Sequence, residues 1–93
     1  MVERMESRLL AGKSVVDTNA MTLGKVKDIM VNITNWKVEY ILLKMPRQVA
    51  KELGVGGLMG ATAKVTPEFI DRIGDLVKLN VSAKELVERV EIE

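Results

Sequence analysis

The sequence predicts a mainly β domain whose strands form one small, strongly bent sheet. Apolar and polar residues alternate in residues 29–33 and 36–40, which is the pattern of half-buried strands. Val26 lies out of phase with the apolar residues that follow, since the alternation shifts by one position after it. A shift of this kind requires a bulge near Lys27–Asp28, and bulges allow a small sheet to curl into a barrel.

The chain has the size of one domain, residues 1–93, and 47% of its residues are apolar, which suffices for a core. Its 14 basic and 13 acidic residues leave a net charge of +1. We therefore expect no long-range field that attracts nucleic acid or an anionic membrane. Cysteine is absent, which is compatible with a reducing cytoplasm, and histidine, the commonest general base, is absent as well.

The first twelve residues predict a short lead-in, with Val2, Met5 and Leu9 on one helical stripe. Residues 1–8 lack the apolar centre of a signal peptide. The longest apolar run, residues 40–43, is far shorter than the ~20 residues of a membrane-spanning helix. We therefore expect a cytoplasmic protein that does not insert directly into a membrane.

The first half of the chain predicts three strands, at residues 14–16, 23–33 and 36–45. Thr34–Asn35 is a candidate two-residue turn between the last two. The third strand becomes apolar on both faces from Tyr40 to Leu43, so both faces must be covered. In a domain this small, one of the two covers could be another chain.

The middle of the chain predicts a helix over residues 46–53, with Pro46 at its first position and Gly54 just past its end. Residues 54–60 contain four glycines and predict a mobile loop.

Residues 63–66 predict a short strand. Thr66-Pro67-Glu68 then predicts a helical turn, whose apolar face is Phe69, Ile70 and Ile73.

Residues 75–81 predict the last strand of the barrel. Ser82 and Glu85 have the spacing of a capping box, which starts a helix over about residues 82–90. This helix carries an apolar stripe at i, i+3, i+4 and i+7, formed by Ala83, Leu86, Val87 and Val90. The sequence leaves open whether the stripe docks on its own barrel or on another chain.

Two stretches of the chain resemble the PRC-barrel family. The segment Leu10-Ala-Gly-Lys-Ser-Val-Val-Asp17 with Leu23-Gly-Lys-Val-Lys-Asp-Ile29 resembles the family's signature, and Phe69-Ile-Asp-Arg-Ile-Gly-Asp-Leu-Val77 resembles its second half. The resemblance covers about residues 9–81, which we take as the barrel core. It implies a strongly bent antiparallel β-barrel of about five or six strands, and a non-catalytic role.

The resemblance also implies possible partners. The chain looks like the free-standing, single-domain members common in archaea, some of which resemble partners of the FtsZ-based division machinery that act with the membrane anchor SepF. The family also includes the ribosome maturation factor, so a ribosome- or RNA-associated role is the alternative.

No motif predicts catalysis. Serine occurs three times and histidine never, which nearly excludes a nucleophilic triad. Four acids could form a carboxylate pair or a Ca²⁺ or Mg²⁺ site, but are better interpreted as satisfying local backbone amides: Asp17, Asp28, Asp71 and Asp75. The glycine-rich loop lacks the Gly-Lys-Ser/Thr ending of a phosphate-binding loop. We predict no catalytic, cofactor or metal site, and nucleic acid is an unfavoured partner because only three aromatic residues are present.

Protein association is the favoured function, in an adaptor that forms a homodimer or pairs with a related PRC-barrel protein. The predicted interface residues are those of the two-sided strand, the loop tip and the final helix: Tyr40, Ile41, Leu42, Leu43, Leu58, Met59, Leu86, Val87 and Val90. A third hypothesis is a regulator that binds a small ligand or a metal ion.

Overall fold

A computed structural model describes residues 10–93; the predicted stripe of Val2, Met5 and Leu9 lies outside this range. The elements follow in the order β1 (Ser14–Val16), β2 (Thr22–Asn32), β3 (Lys37–Met45), α1 (Arg47–Glu52), β4 (Ala61–Val65), a 3₁₀ turn (Pro67–Phe69), β5 (Ile70–Ile73), β6 (Val77–Leu79), α2 (Ala83–Arg89) and β7 (Glu91–Ile92). The mainly β prediction with short helices is therefore confirmed.

All seven strands belong to one sheet in the order β5-β6-β1-β2-β3-β4-β7. The sheet curls strongly into a half-barrel, whose edges are β5 and β7. The family resemblance implied five or six antiparallel strands, whereas the described residues form seven, and β1 pairs with β6 in parallel. The extra strands are β5 and β7. The sequence pattern predicts a helical turn for the residues of β5 and no element for those of β7.

Three bulges bend the central strands. Lys27 has no partner on β3, because the pairing passes from Val26↔Leu43 to Asp28↔Leu42. This confirms the bulge predicted from the change of phase. Two further irregularities leave Leu23 unpaired against β1 and Glu39 unpaired against β2. Each extra residue increases the local twist of the sheet, which allows its faces to close around the core.

The core lies inside the curl. It is formed by side chains from nearly every element: Leu10, Val15, Leu23, Val26, Ile41, Leu43, Met45, Ala50, Ala61, Ala63, Val65, Phe69, Val77, Leu79, Ala83 and Leu86. Gly24 belongs to this tight packing, since a Cβ atom there would collide with the backbone of Lys44. No helix within residues 10–93 is both long enough and apolar enough to cross a bilayer.

Several predicted boundaries in the first half are corrected. The turn between β2 and β3 spans four residues, 33–36, and not two. Pro46 precedes α1 as its N-cap, in an extended conformation, and is not its first helical residue.

In the second half, only Pro67–Phe69 is helical in the predicted turn, because Ile70–Ile73 continues as a strand along β6. The predicted strand over residues 75–81 shortens to β6. The hydroxyl of Thr66 hydrogen-bonds the Glu68 carboxylate at 2.9 Å and does not cap the turn.

Asp17 joins the start of the sheet to the final helix. Its buried carboxylate accepts hydrogen bonds from the backbone N–H groups of Asn19 and Met21 at one oxygen, both at 2.9 Å. The other oxygen accepts from Ala83 N–H, the first residue of α2, at 2.8 Å. Ser82 also caps α2, since its hydroxyl accepts from Glu85 N–H at 3.2 Å. The helix therefore docks on its own barrel, which settles the alternative that the sequence left open.

Candidate protein-interaction surface

The hairpin formed by β2 and β3 extends beyond the rest of the sheet. Strand β4 pairs with β3 only from Ile41 to Met45, so the first four residues of β3 have β2 as their one neighbouring strand among the described residues. Their other edge, over residues 37–40, has no strand beside it in the described part of the chain. An unpaired edge presents N–H and C=O groups that a further strand can bind.

This projecting hairpin is rich in exposed apolar side chains. It holds five of the nine large apolar residues that are exposed within residues 10–93, and we call these five the hairpin patch: Met30, Val31, Ile33, Trp36 and Val38. Ile33 and Trp36 are each 77% exposed. A group of exposed apolar side chains of this kind is typical of an interaction site.

Val31 and Val38 of the hairpin patch continue the apolar face of the core, whereas Met30 lies on the other face of the sheet. Val31 pairs directly with Val38, and Val31 lies two residues beyond Ile29, which pairs with Ile41. Side chains two positions apart in a strand share a face. Ile41 is buried, whereas Val31 and Val38, which lie beyond the last residue of β3 that pairs with β4, are 44% and 43% exposed.

The turn at the tip holds Trp36 in an unusual conformation. The side-chain oxygen of Asn32 accepts a hydrogen bond from Thr34 N–H at 2.8 Å, and the main-chain carbonyl oxygen of Asn32 accepts one from Trp36 N–H at 2.7 Å. These bonds close the turn with Trp36 at φ 59°. A left-handed conformation costs a residue with a side chain about 1–2 kcal/mol, and asparagine or glycine usually occupies such a position. The turn therefore places an indole at a strained position where it is not buried in this fold.

Polar contacts border the patch on the outer face of the sheet. The Lys64 ammonium lies 5.4 Å from the centre of the Tyr40 ring and 3.1 Å from a carboxylate oxygen of Glu91. The hydrogen bond and the charge of Glu91 raise the pKa of Lys64, with a smaller contribution from Tyr40. This ion pair joins β4 to β7.

The structure separates the predicted interface residues into three groups. Ile41, Leu43 and Leu86 are buried in the chain's own core, so their predicted interface role is corrected: the curled sheet and α2 already cover them. Four others are half-buried: Tyr40, Leu42, Val87 and Val90. Tyr40 and Val90 line one cavity of about 270 Å³.

The remaining two predicted residues, Leu58 and Met59, are exposed at the tip of the glycine-rich loop. They lie at the opposite end of β3 from the hairpin patch, because Ala61 pairs with Met45.

The four acids that could have formed a metal site serve other purposes or stand apart. Both carboxylate oxygens of Asp17 accept hydrogen bonds from backbone amides, and Asp28 accepts a hydrogen bond from Ile29 N–H at 2.8 Å. Asp71 and Asp75 are exposed. Within residues 10–93, no three side chains of the acidic, histidine or cysteine type converge as metal ligands would.

The sequence did not single out the hairpin patch. Alternation in residues 29–33 was interpreted as a half-buried strand, which holds for Ile29 but not for Val31 or Ile33. The available signal was Trp36, a large aromatic residue directly after the Thr34–Asn35 turn, where turn geometry favours small or polar residues.

The comparison with known families agrees with this architecture. The family model of the PRC-barrel domain matches residues 3–57, which is more than half of the chain and includes β1, β2, β3 and α1. No curated protein gives a significant match. The chain belongs to the PRC-barrel domain family.

Proposed function

We propose that this chain is a non-catalytic, cytoplasmic protein-interaction module that associates through the hairpin patch with a second copy of itself or with a related PRC-barrel protein. The observation that carries the proposal is the projecting hairpin, which combines an apolar face with an unpaired strand edge. Association would bury the apolar side chains and would satisfy the edge of β3 by strand addition.

Trp36 is the expected centre of the contact, because tryptophan is among the residues that most often dominate binding energy. Replacing it with glycine removes the indole and relieves the left-handed backbone strain. We therefore expect Trp36→Gly to weaken association at least about 30-fold, while stability changes by less than about 1 kcal/mol.

Light scattering after size-exclusion chromatography, over a range of protein concentrations, measures the association. Ile33→Ser should act in the same direction, and Leu76→Ser is the matched control, since Leu76 is exposed at a distant turn between β5 and β6. A wild-type chain that remains a monomer at every concentration, and that no PRC-barrel relative converts into a complex, would refute the proposal.

The single tryptophan provides an independent readout. If the indole becomes buried on association, its emission shifts to the blue as the concentration rises. An oligomer whose Trp36 emission equals that of the monomer would place the contact elsewhere.

The family resemblance supports a more specific role, as a partner of SepF in FtsZ-based division of the archaeal type. The test is a pull-down with SepF and FtsZ, using wild type and Trp36→Gly. Retention that is lost in the variant supports this role. Retention of rRNA or a ribosomal protein with steep salt dependence would instead support the ribosome-associated alternative.

A further inference from the structure

The tip of the glycine-rich loop carries two neighbouring exposed apolar residues, Leu58 and Met59, which we call the prong. Leu58 and Met59 are 81% and 84% exposed, more than any other large apolar residue within residues 10–93. They are the two central residues of a tight turn, because Gly57 N–H donates to Gly60 O at 3.0 Å and Gly60 N–H donates to Gly57 O at 3.1 Å. The two side chains therefore stand next to each other at the tip.

The base of this prong is closely packed. A Cβ atom at Gly60 would collide with the carbonyl oxygen of Met45, and one at Gly56 would collide with that of Gly60. The loop backbone is thus pressed against the end of β3, and only its tip projects. The prediction that these residues form a loop is confirmed, and its base is held by backbone hydrogen bonds.

Basic side chains flank the prong. Arg47 and Lys51 are exposed, lie one helical turn apart on α1, and line the same cavity of about 420 Å³ as Leu58. Among the described residues, no acidic side chain lines this cavity. A second cavity, of about 530 Å³, is lined by Pro46, the residue before Arg47, and by three more lysines: Lys25, Lys27 and Lys44.

The near-neutral net charge conceals this distribution. Residues 10–64 carry eight basic and four acidic side chains, whereas residues 65–93 carry four basic and seven acidic ones. The apolar prong therefore belongs to the basic part of the sequence, residues 10–64.

We infer that this end of the molecule docks on an anionic phospholipid bilayer, with Leu58 and Met59 entering the interface and the flanking cations contacting the headgroups. A bilayer places apolar material directly beneath anionic groups, which matches the order of side chains around the prong. It also yields to a convex apolar tip, whereas a protein partner would need a preformed pocket. The inference revises the expectation, drawn from net charge, that the chain avoids membranes; it concerns shallow contact and not a spanning segment.

This site is independent of the proposed function. The hairpin patch and the prong lie at opposite ends of the nine-residue strand β3, roughly 25 Å apart at about 3.3 Å per residue. Vesicle binding and oligomeric state are separate measurements, so either result can fail without the other.

Co-sedimentation of the full chain with vesicles of phosphatidylcholine, with and without phosphatidylserine, tests the inference. We expect binding only to the vesicles that contain phosphatidylserine, and a decrease in binding as salt is raised. Absence of binding to these vesicles, or equal binding to both kinds, would overturn the inference and leave the prong to a protein partner.

Paired substitutions test the apolar contribution. Leu58→Ser with Met59→Ser should lower the partition coefficient at least about tenfold, because two apolar side chains no longer enter the interface. Both residues are exposed, so the melting temperature should not change. The matched control is Ile73→Ser with Leu76→Ser, which removes two exposed apolar side chains elsewhere. Equal losses in both pairs would contradict a specific role for the prong.

A second pair tests the charges. Each cation near an anionic surface contributes a factor of about five, so Arg47→Gln with Lys51→Gln should weaken binding about 25-fold. Lys78→Gln with Lys84→Gln removes the same charge from the acidic half of the chain, and should have a much smaller effect. If both pairs weaken binding equally, only the net charge matters and the proposed orientation is wrong.

Discussion

Replacing Asp17 with alanine tests how the final helix is held to the barrel. The substitution leaves three N–H donors without their acceptor, those of Asn19, Met21 and Ala83. A buried donor that loses its partner costs about 1–3 kcal/mol. The bond to Ala83 is buried, whereas the two in the turn are partly buried and can recover water. We therefore expect a loss of about 3–4 kcal/mol, out of the roughly 5–14 kcal/mol expected for a domain of this size.

Asp17→Asn separates the two halves of the interaction. An amide keeps one acceptor oxygen but presents N–H donors in place of the other oxygen. If the oxygen stays with the turn, the amide nitrogen faces the N–H group of Ala83, and the link to α2 is lost. The expected loss is about 1.5–3 kcal/mol. Asp28→Asn is the control, since the Asp28 carboxylate is exposed and, among the described residues, accepts a hydrogen bond only from Ile29 N–H; its effect should stay within about 0.5 kcal/mol.

Urea unfolding followed by far-ultraviolet circular dichroism measures these losses. The midpoint should fall while the slope is unchanged, because the substitutions do not alter the surface exposed on unfolding. Amide hydrogen exchange should accelerate first in α2, which loses its connection to the barrel. An Asp17→Ala protein that is less than about 1 kcal/mol destabilised would show that the buried carboxylate is not the anchor described above.

Two further predictions concern the sheet. Gly24→Ala should prevent normal pairing of β2 with β3, because the added methyl group would overlap the backbone of Lys44. The control is Gly74→Ala, which should change stability by no more than about 1 kcal/mol because the space around its Cα is open. Comparable melting temperatures for the two variants would refute the packing argument. The second concerns Lys64, whose raised pKa favours its charged form in the folded state. The stabilisation by Glu91 should therefore be complete below the ordinary lysine pKa and be lost only as the pH rises through the higher, folded value. The difference in stability between wild type and Glu91→Gln, measured from neutral to alkaline pH, should stay constant and then shrink; a difference that shrinks near neutral pH would contradict this assignment.

Local patterns in the sequence were sufficient for part of the fold. The bulge at Lys27 followed from the phase of Val26 against Ile29, because side-chain direction in a strand is strictly periodic. The cap at Ser82 followed from a short-range motif. Only the Ser82 half of the predicted capping box forms as expected, since the carboxylate of Glu85 pairs instead with Arg89 at 3.0 Å.

The features that sequence reasoning missed depend on distant partners. Strand β7 has two residues, too few for any periodic pattern, and exists because β4 lies beside it. Likewise, Ile70–Ile73 became a strand because β6 was available as its neighbour. The two-sided apolar run of β3 was interpreted as an interface, but the curl of the sheet and the packing of α2 bury Ile41 and Leu43.

The docking of α2 also affects how association should be tested. A chain ending at Val81 would lose Leu86, which is fully buried, and would expose the edge of β4 that β7 covers. Such a truncated chain would expose both apolar core residues and an unpaired strand edge, and each of these promotes association. Point substitutions in the hairpin patch avoid this damage.

The position of β1 between β2 and β6 has a consequence for how the chain folds during synthesis. Its parallel partner begins at Val77, so the edge of β1 that faces β6 stays unpaired until the last strands have left the ribosome. The bond between Asp17 and Ala83 spans 66 residues and forms equally late. Pairings this distant in sequence slow folding towards the millisecond-to-second range. The nascent chain therefore carries the four central strands, with the exposed apolar tip of the β2–β3 hairpin, before β5, β6, α2 and β7 can complete the barrel, and this is the stage at which a chaperone would protect it.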